Sequence, residues 1–132
     1  MARSFLPGAR IDCGRAKAGM KIVQLTTDAR EHHKDYGNPR PFFGTAPAAL
    51  LQGFAGQAGV EIHVVACVRR FMPTPVQLAD NIWHHTLLVP KWGWMTSLYR
   101  GCVRAVRRKL CELAPDIVHG QGTERDCAMT PA

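Results

Sequence analysis

Hydrophobic positions along the chain follow two periods, and the shorter of them marks the strands. The nearly continuous apolar run at residues 22–26 is typical of a strand that is covered on both faces of a parallel sheet. Residues 60–66 are rich in β-branched side chains and predict a second strand, residues 81–89 predict a third, and residues 116–119 predict a fourth. The polar segment at residues 27–43, with its two prolines, reads as a long loop after the first strand, and residues 69–75 read as a basic, proline-broken connection.

The longer period marks two helices. One is predicted to begin near Gly44 and Thr45, where Thr45 can cap and Pro47 can occupy the first turn. The other is predicted at residues 95–113, where an apolar stripe recurs at steps of three and four residues: Met95, Tyr99, Cys102, Val106, Leu110 and Leu113. Four arginines lie away from that stripe: Arg100, Arg104, Arg107 and Arg108.

The order of these elements predicts the fold class. Strands that alternate with helices predict an α/β protein with an open, doubly wound, Rossmann-like parallel sheet. A last helix has barely begun when the chain reaches Ala132, so we expect the sheet to be incomplete at the C-terminus. We interpret residues 1–19, rich in Arg, Gly and Ala, as a disordered N-terminal extension ahead of Met20, and residues 20–132 as a partial domain.

Composition narrows the class of protein. A chain of 132 residues, 46% of them hydrophobic, is long enough for one domain, and five cysteines without a C-x-x-C pair favour a reducing compartment. No apolar run approaches the roughly 18 to 20 residues of a membrane span, so we expect a soluble, cytoplasmic protein. The net charge of +7 is concentrated at residues 1–20 and 100–112, and this local charge gives little support for a nucleic-acid partner.

The richest candidate chemistry lies at residues 115–126. Pro115 ends a helical pattern, a short strand follows, and Gly120 and Gly122 release the chain into a turn before a new helix. In an open α/β sheet such a turn lies at the carboxyl ends of the strands, where ligands bind. The candidate ligand contacts are His119, Gln121, Gly122, Thr123, Glu124 and Arg125. The alternatives are a core histidine satisfied by a backbone carbonyl, ordinary turn and capping chemistry, and an exposed Glu–Arg pair without a role.

Other residues leave further alternatives open. Gly44 and Thr45 could let the backbone approach a substrate or simply start a helix; without a G-x-G-x-x-G pattern we predict no dinucleotide site and no cofactor. The adjacent histidine pairs 32–33 and 84–85 do not predict a metal site, since neighbouring strand residues point to opposite faces. Trp92 and Trp94 could stack on a sugar, meet a membrane interface or fill the core. The basic face of helix 95–113 is either solvated, a peripheral contact with anionic lipid, or a contact with an acidic partner.

Four sequence blocks resemble the N-terminal domain of a GT-B glycosyltransferase of the GT4 group. They are residues 20–25 (MKIVQL), 44–47 (GTAP), 58–65 (AGVEIHVV) and 115–122 (PDIVHGQG), in the family's order.

The resemblance implies transfer of a sugar from a nucleotide-sugar donor to an acceptor across a cleft between two domains. It assigns this chain to the acceptor side, with the residues named above as acceptor contacts and no catalytic residue identified. Because the donor-binding C-terminal domain is not in the sequence, the resemblance predicts that this fragment is inactive alone. Gln121 stands where many members have the second histidine of a His-x-His motif, which favours substrate orientation over proton transfer. The alternative is a non-enzymatic Rossmann-like binding or interaction module.

Overall fold

Strands and helices alternate along the part of the chain that the computed structural model describes, residues 19–121. The strands are β1 (Met20–Leu25), β2 (Val60–Val68), β3 (Val76–Ala79), β4 (Ile82–Leu88) and β5 (Ile117–Gly120). The α-helices are α1 (Ala29–His33), α2 (Thr45–Phe54) and α3 (Arg100–Leu113). Two short 3₁₀ turns, Lys91–Gly93 and Met95–Ser97, lie between β4 and α3.

The five strands form one mixed, mostly parallel sheet in the order β3-β4-β2-β1-β5. Strands β1, β2, β4 and β5 are parallel to one another, whereas β3 pairs antiparallel with β4 at one edge. The prediction of an α/β fold is therefore confirmed, with a sheet that is roughly Rossmann-like.

Apolar side chains cover both faces of the central strands. On one face, Val65 and Cys67 of β2 pack with Val106 of α3; on the other, Ile62 and Val64 of β2 pack with Leu51 of α2. This alternation within β2 explains why its sequence is apolar almost without interruption. The strands that carry chemistry at their ends are thus fixed by packing from both sides.

The predicted start of the long helix at Met95 is wrong. Helix α3 begins at Arg100, because Leu98 and Tyr99 adopt left-handed backbone angles (φ 52° and 59°) that interrupt any continuous helix. From Tyr99 onward the predicted stripe does face the core: Cys102 and Val106 are buried, and Tyr99, Leu110 and Leu113 pack against them. Met95, in contrast, is exposed.

Two elements were missed and one cap was misplaced. Residues 27–43 contain the five-residue helix α1 rather than loop alone, and the antiparallel strand β3 follows the basic connection. Helix α2 has Gly44 as its N-cap and Thr45 as its first helical residue, so Thr45 is not the cap. The four predicted strands are confirmed in position, with ends that differ by one or two residues.

Some predictions concern residues outside the described range. These are the disordered extension, the candidate contacts Gly122, Thr123, Glu124 and Arg125, and the last helix. Among the helices of residues 19–121, none combines the length and the apolar composition needed to cross a bilayer.

Candidate functional site

Three connecting segments leave the carboxyl ends of parallel strands at the same edge of the sheet. They follow β1, β2 and β4, and together they gather charged and aromatic side chains over that edge. This is the edge at which open α/β sheets bind ligands. The candidate site is therefore formed by residues of these segments.

A buried ionic pair forms the floor of this edge. Asp28 caps α1 by accepting from the backbone N–H of Arg30 at 3.0 Å. The Arg30 guanidinium returns to the same carboxylate, with Nη2 at 2.6 Å and Nε at 3.0 Å from Oδ2. His84, on β4, approaches Oδ2 through Nε2 at 3.2 Å. All three side chains are almost completely buried, so the cluster ties the loop after β1 to the middle of the sheet.

The contacts of Asp28 keep it ionised. Burial alone would raise the pKa of its carboxyl group, but hydrogen bonds from His84 and Arg30 and the Arg30 charge hold that pKa well below its usual range. Because the carboxylate can only accept, His84 Nε2 is the donor in their contact. The second nitrogen, Nδ1, has no hydrogen-bond partner among residues 19–121, and the Phe43 ring lies edge-on to the imidazole at 5.2 Å.

Glu31 connects this floor to the loop after β2. Its Oε2 accepts from the Tyr36 hydroxyl and from the backbone N–H of Arg69, each at 2.9 Å, and its Oε1 lies 3.3 Å from the Arg69 guanidinium. The guanidinium also lies over the Trp94 ring, 4.5 Å from its centroid. Burial and the hydrogen bond to Glu31 raise the pKa of the Tyr36 phenol above its ordinary value. Arg69 and Tyr36 are thus held in fixed orientations.

Above these contacts lies a cavity of about 600 Å³ that we call the basic cleft. It is lined by Lys34, Tyr36, Arg69, Arg70 and Lys91, contributed by all three connecting segments. Within residues 19–121, no carboxylate makes an ion pair with Lys34, Arg70 or Lys91. The Arg70 guanidinium lies 5.7 Å from the Tyr36 ring. The cleft therefore presents cationic donors to solvent that the described protein does not neutralise, and an anion is its natural ligand.

The predicted contacts His119 and Gln121 lie on a different part of the same edge. His119 pairs in register with Gln24 of β1, and Gln24 is in line with Val64 and His84 across the sheet. Partners in register point to the same face, so His119, Gln24 and His84 share the face that α2 covers, with the apolar Val64 between the last two. We call these three polar side chains the polar row. Gln24 Nε2 donates to Gln121 Oε1, and the Gln121 backbone N–H donates to Leu25 at 2.8 Å. His119 itself is exposed, so it is not a core histidine.

Gly44 and Thr45 are exposed at the N-terminus of α2, on the sheet face that carries the polar row. No hydrogen bond among residues 19–121 joins them to His119 or Gln121. None of these four residues lines the basic cleft.

The sequence did contain signals for the residues that were missed. Asp28 followed by Glu31 three residues later is the spacing of a helix-capping signal, although here the Glu31 side chain contacts Arg69 instead of the cap. The segments after residues 26 and 68 were predicted as a long loop and a basic connection. Because both follow parallel strands, the same rule that drew attention to His119 predicts that they meet.

The histidines of β2 and β4 have structural partners. His63 lies between Glu61 and His85, with Nε2 2.6 Å from the Glu61 carboxylate and Nδ1 2.8 Å from His85 Nε2. That hydrogen bond lowers the pKa of Glu61. As predicted, His84 and His85 point to opposite faces, and each has a separate partner. No group of three or more His, Cys, Asp or Glu side chains suited to a metal ion occurs in the described range.

Comparisons with models of protein families, with curated proteins and with solved structures found no match for this chain. The interpretation of the site therefore depends on its own chemistry.

Proposed function

We propose that this chain is the acceptor-side domain of a GT4-like glycosyltransferase whose acceptor carries an anionic group. The observation that supports it is the basic cleft at the carboxyl edge of a mostly parallel sheet. In that family the sheet is doubly wound and continues beyond the strands described here, and both features belong to the proposal. The nucleotide-sugar would be bound by a second domain.

The cleft is suited to binding and orientation. Arginine offers a planar fork that matches the oxygens of a phosphate or carboxylate, and lysine adds a mobile positive charge. Arg69 is held by Glu31 and by the Trp94 ring, so less conformational entropy is lost when it binds an anion. Its lining side chains are cations and one phenol, which hold a ligand without requiring a chemical step of their own.

The polar row supplies the remaining part of the proposal. His119 is exposed at the same edge, and Gln121 is positioned by Gln24, so both can contact hydroxyl groups of an acceptor. Gln121 donates and accepts hydrogen bonds without carrying a proton, which assigns it to orientation. Gly122, Thr123, Glu124 and Arg125 remain predicted acceptor contacts, as do Gly44 and Thr45.

The alternative is a non-enzymatic Rossmann-like module that binds an anionic ligand. The same cleft favours it, because its three cations without an ion pair among the described residues recognise an anion whether or not a sugar is transferred. The two functions differ in what the polar row does. An acceptor site requires sugar contacts beside the anion, whereas an anion-binding module does not.

Calorimetry with glucose 6-phosphate, glucose and inorganic phosphate tests the proposal. We expect the sugar phosphate to bind, glucose alone not to bind, and the double variant Arg70→Gln/Lys91→Gln to bind at least about tenfold more weakly because it loses two charge-assisted contacts. The matched control Arg104→Gln/Arg107→Gln removes the same charge from α3 and should bind normally.

Sugar recognition is tested separately by His119→Ala. This variant should weaken binding of glucose 6-phosphate and leave inorganic phosphate unaffected. Equal affinity of the unmodified protein for both probes would favour the non-enzymatic module, and absence of binding by either would refute the anion site itself.

A further inference from the structure

A group of large apolar side chains is exposed just before α3. Trp92 is 68% exposed, Met95 72% and Leu98 69%, and they occupy successive positions at steps of three residues along the two 3₁₀ turns. Leu98 follows the second turn in a left-handed conformation, three residues after Met95. We call these three residues the apolar turn. Exposed apolar side chains that are neighbours in this way mark an interaction surface, unlike single scattered ones.

The apolar turn is held rigidly against the fold. Trp94, between its exposed members, is buried and donates from Nε1 to the backbone carbonyl of Val89 at 2.9 Å. Gly93 packs so closely on Gly101 in the first turn of α3 that a Cβ atom on Gly101 would lie 2.5 Å from the Gly93 Cα. This backbone contact fixes the apolar turn relative to α3.

A row of arginines continues the surface along α3. Arg100, Arg104 and Arg107 line, with Leu98 and Val103, an open groove of about 330 Å³. Like charges four residues apart on a helix repel each other. The acid at the far end of the helix, Glu112, is paired with Lys109 at 3.0 Å. The arginines therefore gain from an anionic partner that neutralises all of them at once.

We propose that the apolar turn and the arginine row dock the protein on an anionic membrane surface. Trp92, Met95 and Leu98 can enter the boundary between headgroups and acyl chains, where tryptophan is favoured, while the arginines meet the headgroups. Peripheral binding strengthens with the apolar area that enters the membrane and with the electrostatic attraction to anionic lipid, and this surface presents both contributions side by side. The apolar side chains beside the arginines favour a membrane over nucleic acid as the partner. Nucleic acid would be bound by the arginines but would not contact the exposed apolar side chains. This inference does not depend on the proposed function, since none of these residues lines the basic cleft.

Flotation of the full chain with vesicles tests the proposal. We expect binding to vesicles of phosphatidylcholine with phosphatidylglycerol, weak binding to phosphatidylcholine alone, and loss of binding at high salt. The triple variant Arg100→Gln/Arg104→Gln/Arg107→Gln should bind about a hundredfold more weakly, at about fivefold for each basic residue. The double variant Arg100→Gln/Arg104→Gln should bind about twenty-five-fold more weakly, whereas its charge-matched control Arg40→Gln/Arg108→Gln, at exposed positions outside both the arginine row and the basic cleft, should bind as the unmodified protein does.

The apolar contribution has its own readout. Vesicles should shift the tryptophan emission to the blue, and Trp92→Phe should abolish the shift, because Trp94 is already buried and Trp83 lies in β4, stacked on His63 and outside the apolar turn. Leu98→Asn, which suits the left-handed backbone there, should weaken binding without unfolding the turn. No binding to either vesicle, equal loss in the control variant, or binding to duplex DNA in place of vesicles would overturn the proposal.

Discussion

At the scale of single residues, the candidate site depends on buried charges that stabilise one another. Asp28 carries the contacts of Arg30, His84 and the start of α1, so one carboxylate determines where the loop after β1 lies. A buried ion pair contributes little compared with an apolar pair of the same size, but removal of one partner leaves the other uncompensated.

Replacing Asp28 with asparagine should therefore strongly destabilise the protein. The buried Arg30 guanidinium would lose its counter-charge, and we expect the free energy of unfolding in urea to fall by about 3 to 5 kcal/mol. Asp80→Asn, at the exposed turn between β3 and β4, makes the same chemical change and should have little effect. A similar small loss in both variants would show that the Asp28 charge is not needed to hold Arg30.

The buried His85 predicts a pH dependence of stability. Burial, with the positive charge of Lys109 nearby, lowers the pKa of His85 from its ordinary value of 6.5 to about 4. Between about pH 6.5 and pH 4 this histidine is protonated in the unfolded chain and neutral in the folded chain. The free energy of unfolding therefore falls as the pH drops from about 6.5 to about 4. Allowing for partial screening by solvent, the loss should be about 2 to 3 kcal/mol.

His85→Gln retains a hydrogen-bond partner for His63 but does not titrate, so the difference in stability between about pH 7.5 and pH 4.5 should shrink by that amount. Urea denaturation at both pH values measures this difference in the free energy of unfolding. The control His33→Gln, at an exposed position of α1, should retain the full pH dependence. An unchanged pH dependence of stability in His85→Gln would contradict the assignment of that dependence to His85.

At the scale of elements, the sequence predicted best where burial decides the structure. Strand β2 is apolar because helices cover both of its faces, so its pattern alone was sufficient. Strand β3 has four residues, two of them exposed, and exists because β4 offers an edge to pair with. Helix α1 has five residues and depends on the Asp28 cap and the buried network. Such elements are made by tertiary contacts that a local pattern does not encode.

The start of α3 is also determined by a tertiary contact, the close packing of Gly101 on Gly93. This contact reverses the usual effect of replacing a helical glycine with alanine. Alanine normally stabilises a helix by about 1 kcal/mol relative to glycine. At Gly101 the added methyl group would collide with the Gly93 backbone, so we expect Gly101→Ala to destabilise the protein by about 1 to 3 kcal/mol. Gly53→Ala in α2, where nothing lies within 4 Å of the new Cβ atom, should instead be neutral or stabilising. Urea midpoints compare the two, and a gain in stability for Gly101→Ala would refute the close packing of the apolar turn on α3.

At the scale of the whole molecule, parallel topology brings together what the sequence separates. Lys34, Arg69 and Lys91 are far apart in the chain, yet each follows the carboxyl end of a different parallel strand. Through residues 115–126 the sequence rule pointed to the carboxyl edge of the sheet, where the basic cleft also lies. It did not identify the cleft residues, because their positions depend on α1, on the Glu31 contacts and on the turns before α3. The glycosyltransferase assignment stays a prediction.

The unneutralised charge of the cleft makes one further prediction for the folded molecule. A ligand that binds only the native state stabilises it by RT ln(1 + [L]/Kd), or about 2.7 kcal/mol at a hundred times its Kd. Inorganic phosphate should therefore raise the melting temperature above that in chloride of equal ionic strength.

Part of any such rise is a general effect of phosphate on apolar surface, which a cleft variant retains. The expected signature is thus a smaller rise for Arg70→Gln/Lys91→Gln than for Arg104→Gln/Arg107→Gln, since both variants lose two positive charges and only the first loses them from the cleft. Equal rises in melting temperature for the two variants would mean that this protein binds anions through its net charge and not through the three loops that converge at the carboxyl edge.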